Sequence, residues 1–248
     1  MEFRAATYRI GAREILKGLT LSVEAGETLV LLGRSGSGKT TALKMVNGLL
    51  FPSAGAVLVD GTPTTEWEPV RLKRHMGYVI QEIGLFPHYT VAQNVGLVPR
   101  LENWDAPRIA SRVDGLLRQV GLDPDQFGAR YPAQLSGGQR QRAGVARALA
   151  ADPPVLLFDE PFGAVDPVTR LELQKQFLAL RRDLGKTAIF VTHDVREALM
   201  LATRIALLRD GALELLATPR QFLEAQGGEA RAFLECLDWK VAGEAEAQ

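Results

Sequence analysis

The run Gly33-Arg34-Ser35-Gly36-Ser37-Gly38-Lys39-Thr40 fits the pattern G-x-x-x-x-G-K-[ST] at every fixed position. Glycines at this spacing let successive main-chain N–H groups turn inward around phosphate oxygens with no Cβ in the way. A lysine closing such a loop reaches the β- and γ-phosphates of a nucleotide, and the hydroxyl after it is a hard ligand for Mg²⁺. The pattern therefore predicts that Lys39 contacts the β- and γ-phosphates of a nucleotide and that Thr40 faces the metal, with Thr41 next to it among the nucleotide-binding residues. A flexible glycine-rich surface turn is the plainer alternative, and the flanks argue against it. Leu29–Leu32 is an apolar run of strand length, and Thr40–Asn47 reads as a helix stopped by Gly48. A helix starting there turns its positive end toward the same anion.

Two further stretches carry chemistry. Val155-Leu156-Leu157-Phe158 is a buried-strand pattern that ends on Asp159-Glu160. Paired acids at a strand end are common by themselves. Beside a phosphate loop, Asp159 is placed to hold Mg²⁺ or its water, and Glu160 to orient or deprotonate a water that attacks the γ-phosphate. Ser136-Gly137-Gly138-Gln139 has the spacing of a capping box, and its glycines leave a helix N-terminus bare for a phosphate to approach; a plain capped helix has the same pattern.

The elements that position these residues alternate. Ile15–Val23 alternates apolar and polar residues from Leu19 onward, and Val57–Val59 runs into an Asp60-Gly61 turn. Asp105-Ala106-Pro107 opens a helix stopped by Gly121, and 136–151 forms a second. Thr187–Val191 is a strand, Asp194–Glu197 opens a helix with a capping box, and Asp210-Gly211 joins a hairpin. Strands alternating with helices imply an α/β fold with a largely parallel sheet.

Composition narrows the class. Lys+Arg and Asp+Glu both number 29, so the formal net charge is zero and no nucleic-acid footprint is expected; such a chain suits an assembly. Cys236, the single cysteine, excludes an internal disulfide and a cysteine zinc site. Met1-Glu2-Phe3-Arg4 carries an acid at once, so no signal peptide is expected, and no apolar run approaches membrane-helix length.

Leu135-Ser136-Gly137-Gly138-Gln139, lying before the acidic strand, resembles the signature of ABC transporter ATPase subunits. The remaining family motifs follow in order over nearly the whole chain. Tyr8 resembles the aromatic residue that stacks on adenine, a plain strand aromatic being the alternative. Gln81 resembles the glutamine that reaches Mg²⁺ at the join to a helical insert. Ala164-Val165-Asp166 resembles the D-loop, with Val where Leu is usual. His193, in Thr192-His193-Asp194, resembles the switch histidine that contacts the γ-phosphate, whereas His75 and His88 read as structural.

The resemblance implies a P-loop core with a mixed, largely parallel sheet, an antiparallel N-terminal β subdomain and a helical insert. The core would be residues 1–83 and 155–240, the insert 84–154, and 241–248 a frayed tail. It also implies a second copy of the chain, with ATP sandwiched between the two, each signature facing the partner's γ-phosphate. Integral-membrane permease subunits would receive the work, with Leu85, Phe86 and Tyr89 either as walls of the groove for their helix or as plain core residues, and an extracytoplasmic solute-binding protein would take part indirectly. The place implied is peripheral, on the cytoplasmic face of the inner membrane.

Tyr78–His88, Val98–Leu101 with Trp104, and Ala151–Pro154 narrow the likeness to importers of osmoprotectants and quaternary amines. The stretch after His193 is too short for the closing helices together with the paired CBS domains of many such importers, so these are expected to be lacking. An importer ATPase for another small solute is one alternative. A nucleotide-binding regulatory module without turnover is a second, which Glu160 and His193 argue against. A non-transport ABC ATPase of the DNA-repair or translation type is the third. The spacing from Gln81 to Ser136 leaves room only for a compact insert, which disfavours it.

Overall fold

A computed structural model describes residues 1–80, 84–163 and 166–245. The chain opens with β1 (Glu2–Ile10), β2 (Arg13–Ser22), β3 (Thr28–Leu32), α1 (Lys39–Val46), β4 (Ala54–Val59) and β5 (Thr62–Pro63). Next come α2 (Pro69–Arg74), β6 (Met76–Val79), α3 (Val91–Val95), α4 (Leu97–Leu101), α5 (Ala106–Gln119), α6 (Pro124–Phe127) and α7 (Gly137–Leu149). The remainder is β7 (Val155–Asp159), α8 (Pro167–Leu184), β8 (Thr187–Thr192), α9 (Val195–Leu201), β9 (Arg204–Arg209), β10 (Ala212–Ala217), α10 (Pro219–Leu223) and α11 (Gly228–Ala245). Two compact units result: Met1–Glu68 with Thr187–Gln248, and Pro69–Lys186.

The first unit contains two sheets. One is antiparallel, in the order β2-β1-β4-β5. The other runs β10-β9-β3-β8, parallel except for β10. Leu29–Leu32 are fully buried because α9 packs on β3 and β8, and α1 on β8 and β4; a strand covered in this way reads as an unbroken apolar run. β1 lacked such a signal in the sequence. Its register slips between Phe3 and Ala6, Ala6 and Tyr8, and Tyr8 and Arg9, and each slip breaks the two-residue alternation.

The second unit is built on the parallel pair β6 and β7, with α3, α5 and α8 packed around α7. A Cβ on Gly77 would lie 2.3 Å from the Ala148 carbonyl oxygen, so glycine is what lets α7 lie on β6. The helices expected in the insert fall in this unit, together with α2, β6, β7 and α8. α11 continues past the start of the expected tail, to Ala245. Among the described residues no helix is long and apolar enough to cross a membrane.

One charged pair ties the start of β3 to the start of β9. Glu27, only 8% exposed, accepts from Arg204 Nε at 2.5 Å through Oε1, and from Arg204 Nη2 and the Glu24 N–H through Oε2. Arg204 also donates to the Ser22 carbonyl. Removing the cation strands a buried carboxylate. Arg204→Ala is expected to cost about 3 kcal/mol, read as a lower urea midpoint, with Glu27→Gln in the same background recovering part of the loss.

Candidate functional site

In the first unit, the glycine loop joins β3 to α1 as the pattern predicts. A Cβ on Gly33 would lie 2.3 Å from the Leu208 carbonyl oxygen and 2.6 Å from Ser37 Oγ, so β9 and the loop itself close the space around it. Gly38 adopts φ 98°, and a Cβ there would press on Leu16 and the Ile15 carbonyl of β2. The backbone therefore holds its curve by close approach. No side chain caps α1 and no acid sits in its first turn, which keeps that end positive. Arg34, Ser35 and Gly36 are exposed, while Ser37, Gly38 and Lys39 are buried; Thr40 and Thr41 are half-buried. Lys39, 4% exposed, donates from Nζ to the carbonyls of Gly33 at 2.7 Å and Arg34 at 2.8 Å. Ser37 Oγ is buried with no hydrogen-bond partner among the described residues. An ammonium poised on carbonyl dipoles beside an orphaned hydroxyl fits an anion bearing several acceptor oxygens.

His193 is brought to the same edge. β8 runs parallel to β3 with Thr192 opposite Leu32, so Gly33 and His193 each leave the sheet one residue past a paired position. His193 is exposed. The capping box expected at Asp194–Glu197 does not form. Asp194 caps α9 through the Arg196 N–H, but Glu197 turns inward and accepts from Thr192 Oγ1 instead. Burial of α9 on the sheet decides this, since position 197 faces the interior. Tyr8 is half-buried on β1, opposite Leu16 at a bulge.

The second unit carries the acids. Asp159 ends β7, 7% exposed, and accepts from Tyr78 Oη at 3.3 Å. Burial first, and then the charge of Asp159, push the Tyr78 phenol well above the ordinary tyrosine range, so it stays a donor. Glu160 follows at φ 46°, a left-handed conformation unusual outside glycine. Such strain at a strand end costs of order 1 kcal/mol and aims the side chain out of the strand's alternation. Gln81, Ala164 and Val165 lie outside the described residues.

Ser136 caps α7 with a reciprocal box: its Oγ accepts the Gln139 N–H, and Gln139 Oε1 accepts the Ser136 N–H. Gly137 is partly open, but a Cβ on Gly138 would sit 2.4 Å from Thr169 Cγ2. The second glycine therefore admits α8 as well as leaving the terminus unobstructed. Asp166 caps α8, accepting the Val168 and Thr169 N–H groups, and the Thr169 hydrogen bonds hold its carboxyl below the usual range.

Lys73, Tyr78, Phe86, Leu97, Leu101 and Arg147 line a groove in the same unit. Leu85 and Tyr89 are not among its walls; Tyr89 instead packs on the rings of Phe86 and His88. Fully buried Asn94 shapes the rim, accepting the Phe86 N–H and donating to the carbonyls of Phe86, Tyr89 and Thr90. Sequence reasoning missed Asn94, Tyr78 and Glu197. Each is a polar residue whose hydrogen-bond partner is set by folding, so its type alone does not mark its role.

A strand, a glycine loop closed by a buried lysine, and an uncapped helix define a phosphate-binding-loop domain of the α/β class. The chain belongs to the ABC transporter family, whose model matches residues 16–163. It is 51% identical over 211 residues to the osmoprotectant import ATP-binding protein OsmV of Salmonella typhimurium, covering 85% of this chain and 55% of that one. It is 48% identical over 219 residues to the glycine betaine/carnitine/choline transport ATP-binding protein OpuCA of Bacillus subtilis, covering 88% and 57%. The chain thus spans a little over half the length of these curated relatives. A solved ATP-binding cassette, MJ0796, in a dimeric post-hydrolysis state bound to ADP and Pi, superposes with a TM-score of 0.79 at 33% identity, covering 88% of this chain and 98% of that one.

Gly33→Ala forces a Cβ against the Leu208 carbonyl, so the loop must shift. Affinity for a fluorescent ATP analogue is expected to fall about tenfold or more, with the far-UV circular dichroism spectrum retained.

Proposed function

We propose that this chain binds and hydrolyses ATP as the ATP-binding subunit of an importer of osmoprotectants or quaternary amines. The observation that carries the reading is the buried Lys39 ammonium, held on the carbonyls of Gly33 and Arg34 where α1 begins. Those carbonyls hold the cation until phosphate oxygens, which bear full charge, take it. The amides of 33–40 then surround the phosphates, and Tyr8 offers its ring to adenine. Glu160 orients and deprotonates the attacking water, and His193 contacts the γ-phosphate from the neighbouring strand end.

Thr40, Gln81 and Asp159 would be the protein ligands of Mg²⁺. Hydroxyl, amide and carboxylate oxygens suit a hard cation, and among the described residues no His, Cys, Asp or Glu cluster of three or more offers a fuller cage. A metal that keeps waters and phosphate oxygens needs no more. Once bound, Mg²⁺ neutralises charge on the β- and γ-phosphates.

A second copy completes the site, with Ser136, Gly137, Gly138, Gln139 and Asp166 of each chain facing nucleotide on its partner. The capped, positive N-terminus of α7 suits that role. The solved cassette described as dimeric supports the pairing. The Phe86 groove would receive a helix of an integral-membrane permease, placing the chain peripherally on the cytoplasmic face of the inner membrane. A solute-binding protein outside would deliver the cargo. The solute class rests on the relatives' names, which specify osmoprotectants, glycine betaine, carnitine and choline. Uptake of labelled glycine betaine, choline and carnitine by the reconstituted complex tests it.

Glu160→Gln is expected to keep ATP binding and lower turnover about a hundredfold or more, since a carboxamide is a poor base. Wild-type phosphate release would remove Glu160 from the chemistry. Lys39→Ala is expected to weaken ATP binding about tenfold to a hundredfold by calorimetry, the scale of losing hydrogen bonds to a charged group.

A further inference from the structure

We propose that Glu197 is a positioning residue for His193, acting through Thr192. The inference rests on the reading of His193 as the γ-phosphate contact and adds a residue that the motifs leave out. Glu197 is 4% exposed, and a carboxylate buried that deeply must be partnered. Its Oε2 accepts from Thr192 Oγ1 at 2.5 Å, the separation of a charge-assisted O–H···O bond. The same Thr192 oxygen accepts the N–H of Asp194 at 3.0 Å. A hydroxyl has one proton, and here it goes to Glu197, which leaves a lone pair aimed at Asp194.

The two bonds bracket His193, holding the residue before it and the residue after it in one chain of donors. Each end of that chain is anchored. Thr192 is the last paired residue of β8, opposite Leu32. Glu197 belongs to α9, whose Ala198 and Leu201 are fully buried and which packs on β3 and β8. Asp194 further fixes the start of α9 through its carbonyl to the Ala198 N–H and its Oδ1 to the Arg196 N–H. The His193 backbone therefore has little freedom to drift, although its side chain is exposed. A capping box at Asp194 would have spent the Asp194 N–H on Glu197 and left the Thr192 hydroxyl free to rotate.

The test compares Glu197→Ala, Glu197→Gln and Thr192→Val with His193→Ala in the full chain. It measures kcat and KM for ATP hydrolysis, nucleotide Kd, thermal midpoint, and the His193 imidazole resonance of ¹⁵N-histidine protein, assigned by its loss in His193→Ala. Glu197→Ala and Thr192→Val are expected to lower kcat about tenfold or more with nucleotide Kd within about twofold, the scale of a misplaced reacting group. The His193 resonance should shift or broaden. Glu197→Gln should recover most of kcat, because its amide oxygen still accepts the Thr192 hydroxyl. Should Glu197→Ala fail to fold, Thr192→Val decides. Wild-type kcat with an unmoved His193 signal, alongside an inactive His193→Ala, overturns the inference and leaves the reading of His193 intact. A joint fall of kcat, affinity and thermal midpoint without rescue by Gln assigns Glu197 to stability alone and overturns it too. A fully active His193→Ala sinks both.

Discussion

A triphosphate concentrates negative charge in a small volume, and water solvates that charge well. A protein competes only by aiming main-chain N–H groups and a cation at one place before the ligand arrives, so that nothing has to reorganise afterwards. In this chain the aim is set by close packing of the backbone. Gly33 lies so near the Leu208 carbonyl, and Gly38 so near Leu16, that neither end of the loop has room for a side chain. Lys39 is buried within it and held on two carbonyls. The two carbonyl acceptors of Lys39 are neutral, and hydrogen bonds to them are weaker than those a phosphate offers.

The sheet of the first unit extends this constraint beyond the loop. β3 and β8 pair in parallel with a fixed register, so a loop and a histidine far apart in sequence leave the same edge together. Ligands of open α/β sheets gather at this carboxyl edge, where strand ends expose side chains that the strands hold rigidly from behind. The Arg204–Glu27 pair at the opposite ends of β3 and β9 does comparable work, satisfying a buried carboxylate where the sheet begins.

Several side chains with a proposed role toward nucleotide also have a role at home. Ser136 and Asp166 each cap the helix they precede, and Asp159 accepts a hydrogen bond from the Tyr78 hydroxyl. Local satisfaction and presentation are compatible because a cap fixes the side chain and leaves the helix dipole in place. The strained Glu160 is the counterpart in backbone geometry, a conformation tolerated because the flanking buried strand and turn determine it.

The glycine loop, the buried strand before it and the helix after it, the Asp159-Glu160 strand end and the cap at Ser136 were legible in the chain's own residues. Each depends on neighbours within a few positions: a period, a cap spacing or a Cβ that must be missing. β1 escaped because bulges broke its alternation, and the short helices α2 to α4 because so few residues give no period to read. What folding alone decided was the choice among hydrogen-bond partners. Glu197 stands three residues after a capping aspartate, a spacing that favours a box, yet burying α9 against the sheet turned its carboxyl to Thr192. Sequence determines which groups can bond, while tertiary burial determines which must, because only an interior makes an unmet donor or charge costly.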